Sequence, residues 1–401
     1  MSSRLVIVFC LVLPLAWTGA AFADPVVGPR PQAVDDIPSE GAPGHRVETW
    51  IGGLEAPWSL AFLPDARAGE SPRASSNDGP LSGRALVSER PGRIRLIQNG
   101  ALRPEPYAPI DVAIGGEGGL MGLALHPDFP RAPFVYVMHT YFPGPLPAFA
   151  RRNKVIRLRH LGDTGAFDRV VLDGIPGALN HNGGRIGFGP DRMLYVTTGE
   201  IYEAELAQDP ASLAGKILRV TPEGDVPADN PISGSPVWSL GHRNPQGLAW
   251  QPANGDLFAS EHGPSGEFGL GGHDEINLIL RGANYGWPRA VGAPNVAAYR
   301  DPLVVWKTPT TPPSGIAFWR GDLYVATLRS QALMRIALAR AGNDYRVTRI
   351  ERWFAHGDNR PGRLRDAVAG PDGALYVLTN NRDGRGRPRE GDDRILRITR
   401  P

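Results

Sequence analysis

Apolar residues along this chain gather in short runs rather than helical stripes. Phe134-Val-Tyr-Val, Met193-Leu-Tyr-Val, Asp256-Leu-Phe-Ala, Asp322-Leu-Tyr-Val and Ala374-Leu-Tyr-Val are rich in β-branched and aromatic residues and predict strands. A second kind of run alternates basic and apolar positions: Arg93-Ile-Arg-Leu-Ile, Lys154-Val-Ile-Arg-Leu, Lys216-Ile-Leu-Arg-Val, Met334-Arg-Ile-Ala-Leu and Arg394-Ile-Leu-Arg-Ile. A period of two puts the apolar set on one face of a sheet.

These runs belong to a long repeat. An apolar segment ending in a Pro-Asp-like turn recurs six times, with landmarks at Pro64, Pro127, Pro190, Pro252, Arg320 and Pro371. Successive landmarks lie 63, 63, 62, 68 and 51 residues apart. Each unit has room for about four short strands, which is one propeller blade. The pattern predicts an all-β fold, a six-bladed β-propeller with four-stranded antiparallel blades, because a closed ring buries blade faces and protects strand edges. Two β-sandwich domains are the alternative, but they would give no such period. The propeller is expected over residues 47–401, preceded by an arm at 24–46; the stretches 66–83, 142–152 and 380–392 lack the pattern and read as surface loops.

Composition agrees with a turn-rich β protein, with 50 glycines and 40 prolines in 401 residues. The N-terminus carries Arg4, an apolar run over 5–17 and Ala21-Phe22-Ala23. This reads as a secretory signal cleaved near residue 23, with an uncleaved anchor as the alternative, and no other segment could span a bilayer. The only cysteine, Cys10, lies inside that signal. An exported chain without disulfides suits a periplasm, and haem attachment or iron-sulfur ligation is ruled out within the chain. Any redox chemistry must therefore borrow a cofactor. The net charge is +2 with both signs interspersed, which suggests neither a nucleic-acid nor a membrane partner.

Loops entering the innermost strands of a propeller surround one mouth of its channel, so equal offsets from the landmark imply a shared location. Glu117 lies ten residues before Pro127, His181 nine before Pro190, Arg243 and Asn244 nine and eight before Pro252, and Arg363 and Arg365 eight and six before Pro371. Arg329 follows the turn of its own blade. Each of these side chains taken alone could clamp neighbouring blades, and His181, between Asn180 and Asn182, could serve packing, metal or chemistry. Their convergence favours a site. Several guanidinium groups around a funnel need anions, which Glu117 and Asp366 balance only in part. A flat ligand bearing several carboxylates would balance the rest through bidentate pairing.

A second cluster occupies residues 260–288, where Gly263-Pro264 forms a turn followed by Asp274, Glu275 and Tyr285. Carboxylates and free backbone carbonyls are hard oxygen ligands that suit calcium, with zinc at His262 and His273, or a solvated acidic turn, as alternatives.

The stretches GGEGGLMGLALHPDF, NHNGGRIGFGPD, LGHRNPQGLAW, EHGP, DEINLILRGANYGWP and GRLRDAVAGPDGALYVLTN resemble the soluble glucose/sorbosone dehydrogenases, quinoproteins that use pyrroloquinoline quinone (PQQ). The likeness runs from about residue 47 to 398. It implies a six-bladed propeller whose planar tricarboxylate cofactor is held by arginines and Ca2+. His181 would be the general base, Arg243 and Asn244 would face the reactive carbonyl, and Arg329, Arg363 and Arg365 would pair with cofactor carboxylates. Gly263 and Pro264 would offer carbonyl oxygens to calcium; Asp274, Glu275 and Tyr285 fall where cofactor-side or structural calcium ligands occur. The implied reaction takes an aldose to a lactone and passes electrons to an external acceptor, a cytochrome or quinone, in a monomer or homodimer without stable membrane insertion.

Two positions depart from the pattern of the glucose-oxidising members. Glu117 replaces a Gln, and a carboxylate there needs a proton or an arginine partner beside an anionic cofactor. Asn180 replaces an Asp just before the base, which withholds a charge from the imidazole. The long substrate-side loops of strict glucose enzymes are also hard to place here, which points to a broader aldose dehydrogenase. A calcium-dependent lactonase-like hydrolase and a non-catalytic sugar- or protein-binding propeller are the competing functions, and neither requires a tricarboxylate site.

Overall fold

The computed structural model describes residues 24–64, 83–144 and 150–400. The expected signal at 1–23 and nearly all of the expected loop at 66–83 lie outside the described residues. Six small sheets follow one another along the chain. Blade 1 begins with Pro57–Leu63, blade 2 with Leu120–Leu125, blade 3 with Ile186–Phe188, blade 4 with Pro245–Trp250, blade 5 with Pro313–Trp319 and blade 6 with Leu364–Ala369. Each of these strands pairs antiparallel with the next one in sequence, as in Leu194–Thr198 beside Ile186–Phe188. The six-bladed propeller expected from the repeat is the fold observed.

The landmark turn has a physical meaning in the blades. In blade 3 the turn residue Asp191 accepts hydrogen bonds from the Tyr195 hydroxyl of the second strand and from Arg219 Nε of the third, both at 2.9 Å. Blade 6 repeats this with Asp372, Tyr376 at 3.1 Å and Arg397 Nε at 2.9 Å. In blade 5 Arg335 Nε meets Asp322 at 2.7 Å. The recurring Asp, Tyr and Arg thus tie the first turn of a blade to its third strand.

Apolar faces produced by the period-two strands pack between blades. Phe258 and Ile276 of blade 4 meet Ile316, Val325 and Met334 of blade 5; Met138 and Val155 of blade 2 meet Val196 and Leu218 of blade 3. Comparable clusters join blades 5 and 6, 1 and 2, 6 and 1, and 3 and 4. Trp306 belongs to the blade 4–5 cluster, with Nε1 donating to Asp36 at 3.3 Å. Small residues let the inner strands converge on the axis. A Cβ on Gly247 would lie 2.3 Å from the Ser314 carbonyl oxygen of the next blade, and one on Gly122 would lie 2.4 Å from that of Gly184.

The ring closes with the N-terminal strand Arg46–Ile51, which pairs antiparallel with the C-terminal strand Ile395–Thr399 and completes blade 6. Upstream, the arm lies along blade edges: Asp36–Pro38 pairs parallel with the outer strand Asp344–Trp353 of blade 5, and Val26–Val27 pairs with Ala290–Val291. No helix among the described residues is long and apolar enough to cross a membrane.

Ile51 is the buried end of the closing strand, packed with Leu60, Val87 and Tyr376 across the blade 6–1 interface. Replacing Ile51 with Ala should destabilise the fold by about 2–5 kcal/mol in urea unfolding. Val47→Ala, at an exposed position of the same strand, should stay within about 0.5 kcal/mol of wild type. Equal effects of the two substitutions would mean that closure does not act through this packed end.

Candidate active site

Chain segments that lead into the inner strands of blades 2, 3 and 4 meet at one mouth. His181, just ahead of Ile186–Phe188, is buried and held in left-handed backbone at φ +56°. Its backbone N–H donates to Glu117 Oε2 from the blade 2 approach at 3.0 Å. Asn244, just ahead of Pro245–Trp250, accepts the Gly183 N–H on Oδ1 at 3.0 Å and donates from Nδ2 to the same Glu117 oxygen at 3.3 Å. One carboxylate from blade 2 thereby fixes the backbone of blade 3 and the side chain that enters blade 4.

Each ring nitrogen of His181 has one partner. Nδ1 forms a short contact with Glu200 Oε1, from the turn after Leu194–Thr198. Nε2 lies 3.1 Å from Arg243 Nη2. A guanidinium can only donate, so Nε2 is the accepting nitrogen and the ring proton sits on Nδ1, aimed at Glu200. Arg243 is itself buried; its Nη2 and Nε reach Glu267 Oε1 at 2.5 and 3.2 Å, and Nη1 donates to the His262 carbonyl at 3.3 Å. The His242 imidazole and the Arg243 N–H share the buried Glu261 carboxylate beneath.

Arginines converge from the other side. Arg363 donates Nε and Nη2 to Asp383 Oδ2 at 3.0 and 2.7 Å. Arg365 is buried with Nη1 on Gln246 Oε1 at 2.7 Å and Ser314 Oγ at 3.3 Å, and its Nε has no partner among the described residues. Burial pushes the pKa of Arg365 down to about 9, against the pull of Asp383. Arg90 donates to the carbonyls of Gly116 and Asp383 at 2.8 and 3.0 Å. Arg385 donates to Glu117 Oε1 at 2.9 Å and Asn180 Oδ1 at 2.5 Å. Among the described residues, Arg90, Arg363, Arg365 and Arg385 thus face the carboxylates of Asp383 and Glu117 alone, leaving the cluster short of anions. Burial would raise the Glu117 carboxyl, but His262, His181 and Arg385 hold it down at about 2. Asp383 is lowered in the same way, burial being overcome by Arg363 and Arg365.

Among the residues singled out in the sequence, Glu117, Asn180, His181, Arg243 and Asn244 are brought into one connected group, with Arg363 joined to it through Asp383, Arg90 and Arg385, while Arg365 bonds to Gln246 and Ser314 instead. Arg329 is exposed beyond the strand Asp322–Thr327 of blade 5, with no ion pair among the described residues. Asp366 lies deeper in the channel and pairs with Arg185 at 3.0 Å. Gly263 and Pro264 follow His262 directly. A Cβ on Gly263 would lie 2.0 Å from the Gly272 carbonyl oxygen, so only glycine fits there. Asp274 supports this turn, accepting the Gly263 N–H at 3.1 Å along with Thr310 Oγ1 at 2.9 Å and the Thr311 N–H at 2.7 Å. Glu275 accepts Asn277 Nδ2 at 3.2 Å; burial and then Glu261 push its pKa well up. The Tyr285 hydroxyl donates to the Leu278 carbonyl at 2.6 Å and accepts the Leu280 N–H at 2.9 Å, while its ring stacks 4.5 Å from His242. Asp274 and Tyr285 thus hold backbone in the structure described.

Several participants escaped the sequence reading, Arg90, Glu261 and Glu267 among them. Glu200 follows a strand and has no motif of its own. Asp383 and Arg385 sit in the stretch 380–392, expected as a surface loop but folded inward so that Asp383 is buried and Arg385 is half covered. The cue was present as the arginine partner that a carboxylate at position 117 requires. Glu200 likewise supplies the charge beside the imidazole that Asn180 lacks, and the Asn180 side chain turns instead to Arg385.

The glucose/sorbosone dehydrogenase family description matches residues 54–396. An aldose sugar dehydrogenase of Escherichia coli K12 is 32% identical over 84% of this chain and 91% of its own length. Among solved structures, an oxidoreductase of Thermus thermophilus described as a glucose dehydrogenase is 56% identical, covers 89% of this chain and 100% of its own, and superposes with a TM-score of 0.79. The PQQ-bound aldose sugar dehydrogenase of Streptomyces coelicolor is 38% identical with a TM-score of 0.72, covering 89% of this chain and 99% of its own. With this match spanning residues 54–396 and the whole mouth, the chain belongs to the glucose/sorbosone dehydrogenase family and is an oxidoreductase of the sugar dehydrogenase type.

Proposed function

We propose that the protein oxidises the anomeric hydroxyl of aldose sugars to lactones, using PQQ and Ca2+, in the periplasm to which residues 1–23 would direct it. The observation that carries this reading is His181, tethered through Nδ1 to Glu200 and presenting Nε2 toward Arg243, beside an arginine cluster that lacks anions. A planar tricarboxylate fits that deficit, because Arg365 is a buried cation with no carboxylate partner among the described residues. The relative that binds PQQ supports the same choice.

The residues that would hold the cofactor are Arg363 and Arg365, with Asn244 and Arg243 toward its reactive carbonyl and Arg329 at the rim. Glu117 would stand beside it, its charge satisfied by Arg385. No three His, Cys, Asp or Glu side chains among the described residues are grouped to hold a metal. Calcium would instead rest on the carbonyls of Gly263 and Pro264 and on oxygens of the bound ligand, as a hard cation does. Asp274, Glu275 and Tyr285 would support that turn and the strand behind it. When bound, the quinone and its calcium supply the electrophile that accepts hydride.

What the chain itself performs is proton handling. The sugar hydroxyl takes the place of Arg243 at His181 Nε2 and gives up its proton there as hydride leaves the same carbon. Glu200, against the opposite nitrogen, stabilises the imidazolium that forms and keeps the ring oriented. Arg243, still anchored by Glu267, would be left beside the acceptor carbonyl, where its guanidinium can stabilise negative charge. Reoxidation requires an external acceptor, a cytochrome or quinone, because the single cysteine at position 10 can anchor no haem or cluster.

Apoprotein supplied with PQQ and calcium should reduce a redox dye in a sugar-dependent manner; no reduction with any aldose under any metal condition would refute the proposal. In the reconstituted enzyme His181→Ala should lower kcat about 10²- to 10⁴-fold while cofactor affinity stays unchanged. Glu200→Gln should lower kcat about 10²-fold or more with KM nearly constant, and a kcat equal to wild type would remove it from the proton path. Arg365→Ala should weaken PQQ binding about ten- to hundredfold in an absorbance titration of apoprotein. Unaltered affinity would exclude Arg365 from the cofactor site.

A further inference from the structure

Two aromatic rings beside the site remain in water. Tyr202 is 57% exposed and Phe268 39%. Both stand on left-handed backbone: φ is +64° at Tyr202, directly after Ile201 at +57°, and +55° at Phe268. Left-handed backbone at a β-branched residue such as Ile201 is a genuine outlier, and strain of this kind collects at functional sites. Burial does not explain it here, because the rings so placed stay largely uncovered.

Their attachments explain it better. The Tyr202 ring lies against the general base, its centroid 4.0 Å from that of His181 with the planes 36° apart. Phe268 meets Trp287 edge-on at 5.9 Å, and Trp287 lies under the Arg243 guanidinium at 5.5 Å. Phe268 also directly follows Glu267, the carboxylate that anchors Arg243. One exposed ring therefore belongs to the base and the other to its arginine partner.

We propose that Tyr202, with Phe268 on the Arg243 side, is the platform that recognises the sugar ring and sets substrate preference. A pyranose carries C–H groups on its faces and hydroxyls around its edge. An aromatic face exposed to water takes the C–H face, while the donors and acceptors of Asn180, His181 and Arg243 meet the hydroxyl edge. A small open-chain alcohol offers no such face. The platform rests on the aldose reading above and adds to it how a sugar is held with its anomeric carbon at His181.

The test compares Tyr202→Ala, Tyr202→Phe and Phe268→Ala in enzyme reconstituted with saturating PQQ and calcium, with glucose as substrate and with cofactor affinity titrated separately. Tyr202→Ala should raise KM for glucose about tenfold with kcat within about twofold of wild type, as expected for loss of binding shared by ground and transition states. Tyr202→Phe, which keeps the ring, should restore KM, and Phe268→Ala should raise it by a smaller factor. Thermal melting of each variant separates these effects from misfolding. An unchanged KM in a folded, active Tyr202→Ala overturns the platform while leaving the aldose reading intact. Weakened PQQ binding with unchanged KM also overturns it, because the ring would then serve the cofactor. A wild-type enzyme inactive on every aldose overturns both.

Discussion

Everything at the mouth depends on closure of the ring. Pairing of Arg46–Ile51 with Ile395–Thr399 joins the two ends of the chain into one blade, and it fixes blade 6 against blade 1. Arg385 reaches Glu117 from the loop before that last strand, across 268 residues of sequence. Arg90 spans the same interface to the Asp383 carbonyl. Without closure these guanidinium groups would face water, and Glu117 would lose its arginine partner beside His181.

Closure makes Glu117 a hub. One carboxylate accepts the His181 backbone N–H, the Asn244 amide and the Arg385 guanidinium. The left-handed conformation of His181 needs such an anchor, since a non-glycine residue leaves that region readily unless its surroundings specify it. The imidazole is then fixed from both ends, by Glu200 at Nδ1 and Arg243 at Nε2. With Nδ1 held by Glu200, the ring orientation and the position of its proton are set by neighbours.

The same mouth is organised by charge imbalance. Arg243 is neutralised by Glu267 and Arg363 by Asp383, whereas Arg365 is buried with only neutral partners among the described residues. A buried cation without an anion is costly unless a ligand completes it. The site is therefore matched to something anionic on the arginine side and to something rich in hydroxyls on the histidine side. The exposed Tyr202 ring lies against His181 on that second side.

The period of the apolar runs determined the propeller, because each repeat buries its faces only against copies of itself. Phase within the repeat also pointed Glu117, His181, Arg243, Asn244, Arg363 and Arg365 to one mouth, since similar offsets from the landmark reach neighbouring places in a ring. What the sequence left open was pairing. Glu200 and Arg385 carry no offset or motif, and a stretch rich in glycine and arginine reads as solvated loop until its partners are known. Only the closed structure brings Arg385 to Glu117 and Glu200 to His181. Ion pairs between segments far apart in sequence depend on distances that the fold creates, whereas strand period is a property of neighbouring residues and is already present in the chain.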